Sequence, residues 1–203
     1  MKYTRKNIIT LPNPILREKS AKIRELSPEI LGVIQGMKDA AIDWENSRPH
    51  EAAVALAAVQ IAKLERIVII REDFEDKNNQ NFTVLINPEI VKYEGKLDLD
   101  DEGCLSVAGG VYGKVPRWTK VRVKALDESG REVRFKSPSP FLARVLQHEI
   151  DHTNGICFVD HIAHDENAFE FLNDKGNLIS ADFEKIKTLG ILPTDDENNT
   201  IIQ

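Results

Sequence analysis

The pentapeptide His148-Glu149-Ile150-Asp151-His152 carries the most chemistry of any stretch in this chain. Residues four apart lie on one face of a helix, so the imidazoles at 148 and 152 can reach a single metal ion. Glu149 can then contact water at that ion and serve as its general base. The segment points to metal-assisted hydrolysis and leaves the kind of hydrolase open. Its flanks favour a helix. Ser139-Pro140 offers a capping hydroxyl followed by proline at the first helical position. Phe141, Val145, His148 and His152 fall at helical spacing, with Leu142, Leu146 and Ile150 as the neighbouring stripe. Arg144, Gln147 and Asp151 read as a polar flank, and Asn154-Gly155 as a left-handed stop.

The third ligand separates the hydrolase classes. In the pattern H-E-x-x-H-x-x-G-x-x-H, Gly155 is in place, but the last position is Phe158, which cannot bind metal. That class is excluded. A carboxylate from a following segment would make Glu170 the candidate. A thiolate would come from Cys104 or Cys157, the only two cysteines. Cys157 lies just past the helix end and reads equally well as a small buried apolar residue. Cys104 sits in Glu102-Gly103-Cys104-Leu105-Ser106, between the acidic stretch 98–101 and a glycine-containing loop.

Glu102-Gly103-Cys104-Leu105-Ser106 followed by Gln147-His148-Glu149-Ile150-Asp151-His152 resembles two of the three signature motifs of the peptide deformylases. The third, G-x-G-x-A-A-x-Q in that family, has its counterpart in Ala53-Val54-Ala55-Leu56-Ala57-Ala58-Val59-Gln60. The resemblance extends from Ile9 to His161, through the Leu11-Pro12-Asn13-Pro14 opening and the Ile86-Asn87-Pro88-Glu89-Ile90 segment.

This resemblance implies that Cys104, His148 and His152 bind one divalent ion, with water completing a tetrahedral site. The ion implied is Fe(II), and Zn(II), Ni(II) or Co(II) suit the same donors. The implied substrate is an N-formylmethionyl peptide or nascent chain, hydrolysed to formate and a free amino terminus, with the ribosome as a candidate partner. Glu149 would be the general acid–base, and the Gln60 amide with the Leu105 N–H would stabilise the oxyanion. Val54, Ala55 and Val145 would line the substrate groove, with Phe141 beside them.

Three departures from the family pattern stand out. Both glycines of the first motif are alanines, Ala53 and Ala55, whose methyls are expected to narrow or displace the groove. The loop after Ser106 has Ala108 where proline is common, and one extra residue. The C-terminal residues are acidic, whereas a segment docking on RNA would be basic. The altered loop motivates a second reading, an amidase for another small N-acyl group, or a deformylase homologue of low activity.

A chain of 203 residues with 41% hydrophobic content suits one domain, expected over 1–192, with an acidic, mobile tail at 193–203. Two cysteines suggest no disulfide framework. There is no long apolar run and no signal-peptide pattern at the start, so a cytoplasmic protein without membrane contact is expected. A net charge of −6 argues against specific nucleic-acid binding. The remaining pattern reads as α+β, with antiparallel or mixed sheets packed around the central metal-binding helix. A helix should begin at Ser27-Pro28 and run through Ile30, Val33, Ile34, Met37, Ala41 and Trp44. Strands are expected at 66–70, 83–86, 90–93, 121–126 and 132–135, with a hairpin turn at Glu128-Ser129-Gly130. A polar loop is expected at 73–81, and a last helix at 180–191.

Overall fold

In the computed structural model, which describes residues 2–48, 50–73, 76 and 78–194, the two expected helix starts are built alike. Ser27 Oγ accepts from the Ile30 N–H at 3.4 Å, and Ser139 Oγ accepts from the Leu142 N–H at 3.1 Å. Pro28 and Pro140 follow at the first helical positions, opening α1 (Pro28–Glu45) and α2 (Pro140–His152). Beyond α2, Gly155 takes φ +78° against the backbone of Arg17. A Cβ there would sit 2.3 Å from the Arg17 carbonyl oxygen, so both conformation and space require glycine.

Among the described residues seven strands form one sheet: β1 (Ala55–Ala57), β2 (Ile67–Arg71), β3 (Phe82–Gly103), β4 (Val111–Leu126), β5 (Glu132–Lys136), β6 (Phe169–Leu172) and β7 (Leu178–Ser180). All pairings are antiparallel, in the order β1-β2-β3-β4-β6-β7, with β5 also on β4. The architecture is α+β, with α2 at its centre.

Strand alternation explains why the first two strands read as unbroken apolar runs. Leu56, Ile67 and Ile69 pack beneath α1 with Val33, Ile34, Met37 and Trp44. Ala55, Ala57, Val68 and Ile70 face the opposite way, against Ala143, Leu146 and Ile150 of α2. Both faces are covered, so no polar residue interrupts the pattern. A third cluster, around Phe158, Phe169 and Ile186, packs the chain after α2 onto the start of β4. This sandwich fixes α2 relative to the edge strand β1 and to the end of β3, the elements that meet at the site.

Several sequence expectations need correction. The strands expected at 83–86 and 90–93 are parts of the single 22-residue β3. It is bent at Asn87-Pro88, where the register shifts and Asn87 takes φ +52°. β4 begins at Val111, well before the expected 121. β4 does alternate, with Val111, Gly113, Val115 and Arg117 buried, but the outer part of β3 exposes Val91, Tyr93, Leu97 and Leu99, so burial imposes no alternation there. Backbone pairing and ion pairs such as Arg122–Glu94 (3.0 Å) hold it instead. The last helix, α3 (Phe183–Thr188), is shorter than expected. Of the expected tail, 195–203 lie outside the described residues, as do 74, 75 and 77 of the polar loop.

Candidate metal centre and substrate cleft

Cys104 follows the last residue of β3, where the chain turns away from the sheet. The turn is closed by the Val107 N–H donating to the Cys104 carbonyl (3.1 Å), and the Ser106 N–H reaches Cys104 Sγ at 3.4 Å. Facing it, α2 presents His148 and His152 on one side, as their four-residue spacing requires. Cys104 Sγ lies 3.2 Å from His152 Nε2, and one donor atom from each of Cys104, His148 and His152 lies within 4.8 Å of the others. A tetrahedral ion with bonds of about 2.3 Å to sulfur and 2.0–2.1 Å to nitrogen needs its donors about 3.3–3.6 Å apart. The three donors fit such an ion within small side-chain movements. Three protein donors also leave a fourth position for water or substrate.

The carboxylate of Glu102 organises this centre. Its Oε2 lies 2.9 Å from His148 Nδ1, and it receives Arg117 through Nε at 2.9 Å and an Nη at 3.1 Å, and Arg144 at 2.8 Å. Burial by itself would raise the Glu102 pKa, but His148 and Arg117 hold it well below the usual carboxylate range. An ionised Glu102 can only accept, so His148 must carry its proton on Nδ1 and turn Nε2 towards the ion position. Arg117 continues to Asp151, whose carboxylate also meets His161 Nε2 at 2.8 Å. Arg144 and Gln147, read from sequence as part of a polar flank, are buried. Arg144 reaches the Val115 carbonyl (2.7 Å), and Gln147 pairs with the Trp118 backbone at 2.8 and 3.0 Å. The signal for Arg144 was present in its position four residues before His148, on the same helical face.

Glu149 is 5% exposed, yet it lines the cleft and its Oε2 has no hydrogen-bond partner among the described residues. Burial pushes its carboxyl up to about 7. An unpartnered buried carboxylate oxygen beside three metal-type donors is a place for water. Gln60 is buried, on a 3-10 turn at Ala58–Ile61. Its Oε1 accepts from the Ala57 N–H at 2.8 Å, which aims Nε2 at Ser106 Oγ (3.2 Å) and Cys104 Sγ (3.5 Å). The Leu105 N–H makes no backbone hydrogen bond among the described residues. Gln60, Cys104, Leu105, His148 and Glu149 all border one cleft of about 240 Å³.

The cleft walls include Val54, Ala55, Val145 and Phe141, together with Trp44 and Tyr112. Ala53 is different. It is 1% exposed and packs in the cluster beneath α1, so its methyl fills core volume and does not narrow the cleft. Glu170 stands on β6 with Lys114, at 3.5 Å, outside the donor cluster. Cys157 is also outside the cluster, but it is no bystander. Fully buried, its sulfur lies 3.9 Å from His152 Nδ1, on the side of the ring away from Cys104.

Comparison with known proteins gives this geometry its setting. The family model described as polypeptide deformylase matches residues 5–168. The chain belongs to the peptide deformylase family. A peptide deformylase of Thermomicrobium roseum is 42% identical over 173 residues, covering 84% of this chain and 92% of that protein. One from Halothermothrix orenii is 41% identical, covering 74% and 88%. Among solved structures, a peptide deformylase of Synechococcus elongatus in complex with actinonin superposes with a TM-score of 0.69 at 32% identity, covering 78% of this chain and 80% of that one. The Legionella pneumophila peptide deformylase gives 0.66 at 35% identity, covering 79% and 86%. Peptide deformylases are metal-dependent, and the Cys104–His148–His152 cluster is the metal-type donor group found among the described residues.

Proposed function

We propose that this family member hydrolyses the formyl group from N-formylmethionyl peptides of newly made proteins, releasing formate, with one catalytic domain over 1–192 carrying the reaction. The observation that supports this most directly is the cleft bordered by Cys104, His148, the Glu149 carboxyl and the Gln60 amide, with the buried His152 completing the donor cluster. Cys104, His148 and His152 would hold the ion, Fe(II) by family resemblance, with Zn(II), Ni(II) or Co(II) also suited to one thiolate and two imidazoles. A divalent ion bound there polarises a carbonyl oxygen and makes water acidic enough to deprotonate near neutral pH.

The chain's own groups account for the remaining steps. Glu149 accepts a proton from the attacking water and delivers it to the peptide nitrogen as the carbon–nitrogen bond breaks. The developing oxyanion is met by the Gln60 Nε2 amide, aimed by the bond from the Ala57 N–H to its Oε1, and by the Leu105 N–H, which lies in the turn closed by the Val107 N–H on the Cys104 carbonyl. The methionine side chain packs against Val54, Ala55, Val145 and Phe141. Among the described residues β1 is an edge of the sheet, paired only with β2, so its other side can accept an extended peptide as an added strand. By family resemblance we place the enzyme in the cytoplasm, with nascent chains as substrate and the ribosome as a candidate partner; no helix among the described residues is long and apolar enough to cross a membrane.

Formate release from a formyl-Met peptide, measured anaerobically on iron-loaded protein, tests this reading. Turnover of that peptide, with none on acetyl or longer acyl analogues, is the expected result. Activity confined to other acyl groups, or none at all, would overturn it.

A further inference from the structure

A second cavity, of about 230 Å³, adjoins the cleft through Trp44, Glu51, Cys104, Leu105 and Tyr112, which line both. Its chemistry is different. Arg5, Arg48, Thr10 and Ser47 line it, and no acidic residue other than Glu51 does so. Glu51 is already engaged: one oxygen accepts from Tyr112 Oη at 2.9 Å, and the other lies 3.2 Å from an Arg48 Nη. Arg48 is further fixed by its guanidinium, which stacks over the Trp44 ring at 5.1 Å. A planar cation held by stacking and by an ion pair is preorganised, and keeps donors free for an incoming anion. Arg5 is exposed; its backbone N–H donates to Asp43 Oδ2 at 2.9 Å, and its side chain makes no ion pair among the described residues. Two arginines against one satisfied carboxylate leave the cavity net positive.

We propose that this second cavity is a carboxylate-binding compartment of the same active site. The inference rests on the deformylase reading and refines its substrate class. Two carboxylates of that reaction could enter it. One is the acidic side chain of a peptide residue following the methionine, since side chains of an extended peptide alternate in direction and a neighbour of methionine leaves the methionine pocket. The other is the formate released beside Cys104 and Leu105.

The test compares the natural chain with Arg5→Gln and Arg48→Gln. Each enzyme is assayed on formyl-Met-Asp-Ser and formyl-Met-Ala-Ser, and the ratio of the two kcat/KM values is read, because metal content cancels within one preparation. Inhibition by added formate at constant ionic strength is measured alongside. Exposed charge pairs support effects of about threefold to fivefold. If the acidic side chain is the ligand, the natural chain favours the aspartate peptide by about that factor and each substitution erodes the preference. If formate is the ligand, its inhibition constant rises by a similar factor in both variants while the peptide ratio stays put. Identical ratios and identical formate inhibition in all three enzymes would overturn the proposal. Carboxylate binding followed by NMR titration with formate needs no turnover. Inactivity on every formyl peptide would thus count against the deformylase reading, while loss of the titration shift in the arginine variants would still report on the compartment.

Discussion

Glu102 Oε2 lies 2.9 Å from Nδ1 of His148, and the same carboxylate is gripped by Arg117 and Arg144. The ring orientation of one metal-type donor is therefore set by a buried charge cluster joining β3, β4 and α2. Replacing Glu102 with glutamine removes the charge that fixes the His148 tautomer. Loss of such an outer partner commonly costs about 10–100-fold in metal affinity. Competition with a fluorescent chelator should show a weakening in that range. Unchanged affinity would mean that packing alone orients His148.

The same substitution should also lower stability. It leaves two buried arginines short of a counter-charge, and breaking a buried pair by removing one partner costs about 3–5 kcal/mol. Chemical denaturation of Glu102→Gln against the natural chain, both stripped of metal, separates this loss from the loss of metal-linked stability. A midpoint shift seen only in the metal-loaded proteins would show that the arginines find other partners.

The two cysteines should behave differently. Cys104→Ala should abolish stoichiometric metal binding, because its sulfur is one of the three clustered donors. Cys157→Ala should retain metal, though its sulfur lies 3.9 Å behind His152 Nδ1, so a modest weakening is expected rather than none. Metal content after gel filtration decides between them. Retained metal in Cys104→Ala together with lost metal in Cys157→Ala would move the ligand.

Glu149→Gln should keep the metal and lose most turnover, since positioned acid–base groups contribute about 10²–10⁴-fold. Gln60→Leu should lose about 10²–10³-fold through the missing oxyanion donor. The Gln60 change also leaves the Ala57 N–H without its partner, so its thermal midpoint should fall as well. Steady-state kinetics on metal-replete protein would remove either residue from the mechanism if turnover stayed near normal.

What the sequence made legible follows from physics local to a few residues. Helix α2 was readable because its cap, its stripe and its stop lie within the segment itself, and the spacing of His148 and His152 is a property of any helix. Joining Cys104 to them needed family resemblance, since no local rule brings the end of β3 to histidines more than forty residues later. The Glu102 cluster stayed hidden because charge is read by default as surface. Arg144 is buried only because Glu102 and the carbonyls of Asp98 and Val115 meet it. The outer half of β3 was missed for the opposite reason: with exposed residues along it, its composition obeys no burial period.

The alanines at 53 and 55 replace the glycines of the family pattern, yet the two positions differ in what they touch. Ala53 is 1% exposed within the cluster under α1, and its N–H donates to Glu45 Oε2 at 2.9 Å. Ala53→Gly should therefore remove a buried methyl and loosen the backbone, at a cost of about 1 kcal/mol in stability, with KM little changed. Ala55 borders the cleft while pairing with Ile70 across the β1–β2 ladder. Ala55→Gly should alter KM for formyl-Met peptides and leave kcat close to the natural value, because no catalytic group moves. Thermal denaturation and steady-state kinetics on both variants measure the two effects separately. A KM change in Ala53→Gly with no fall in its thermal midpoint would place that methyl in the groove, and would reverse the assignment made from its burial.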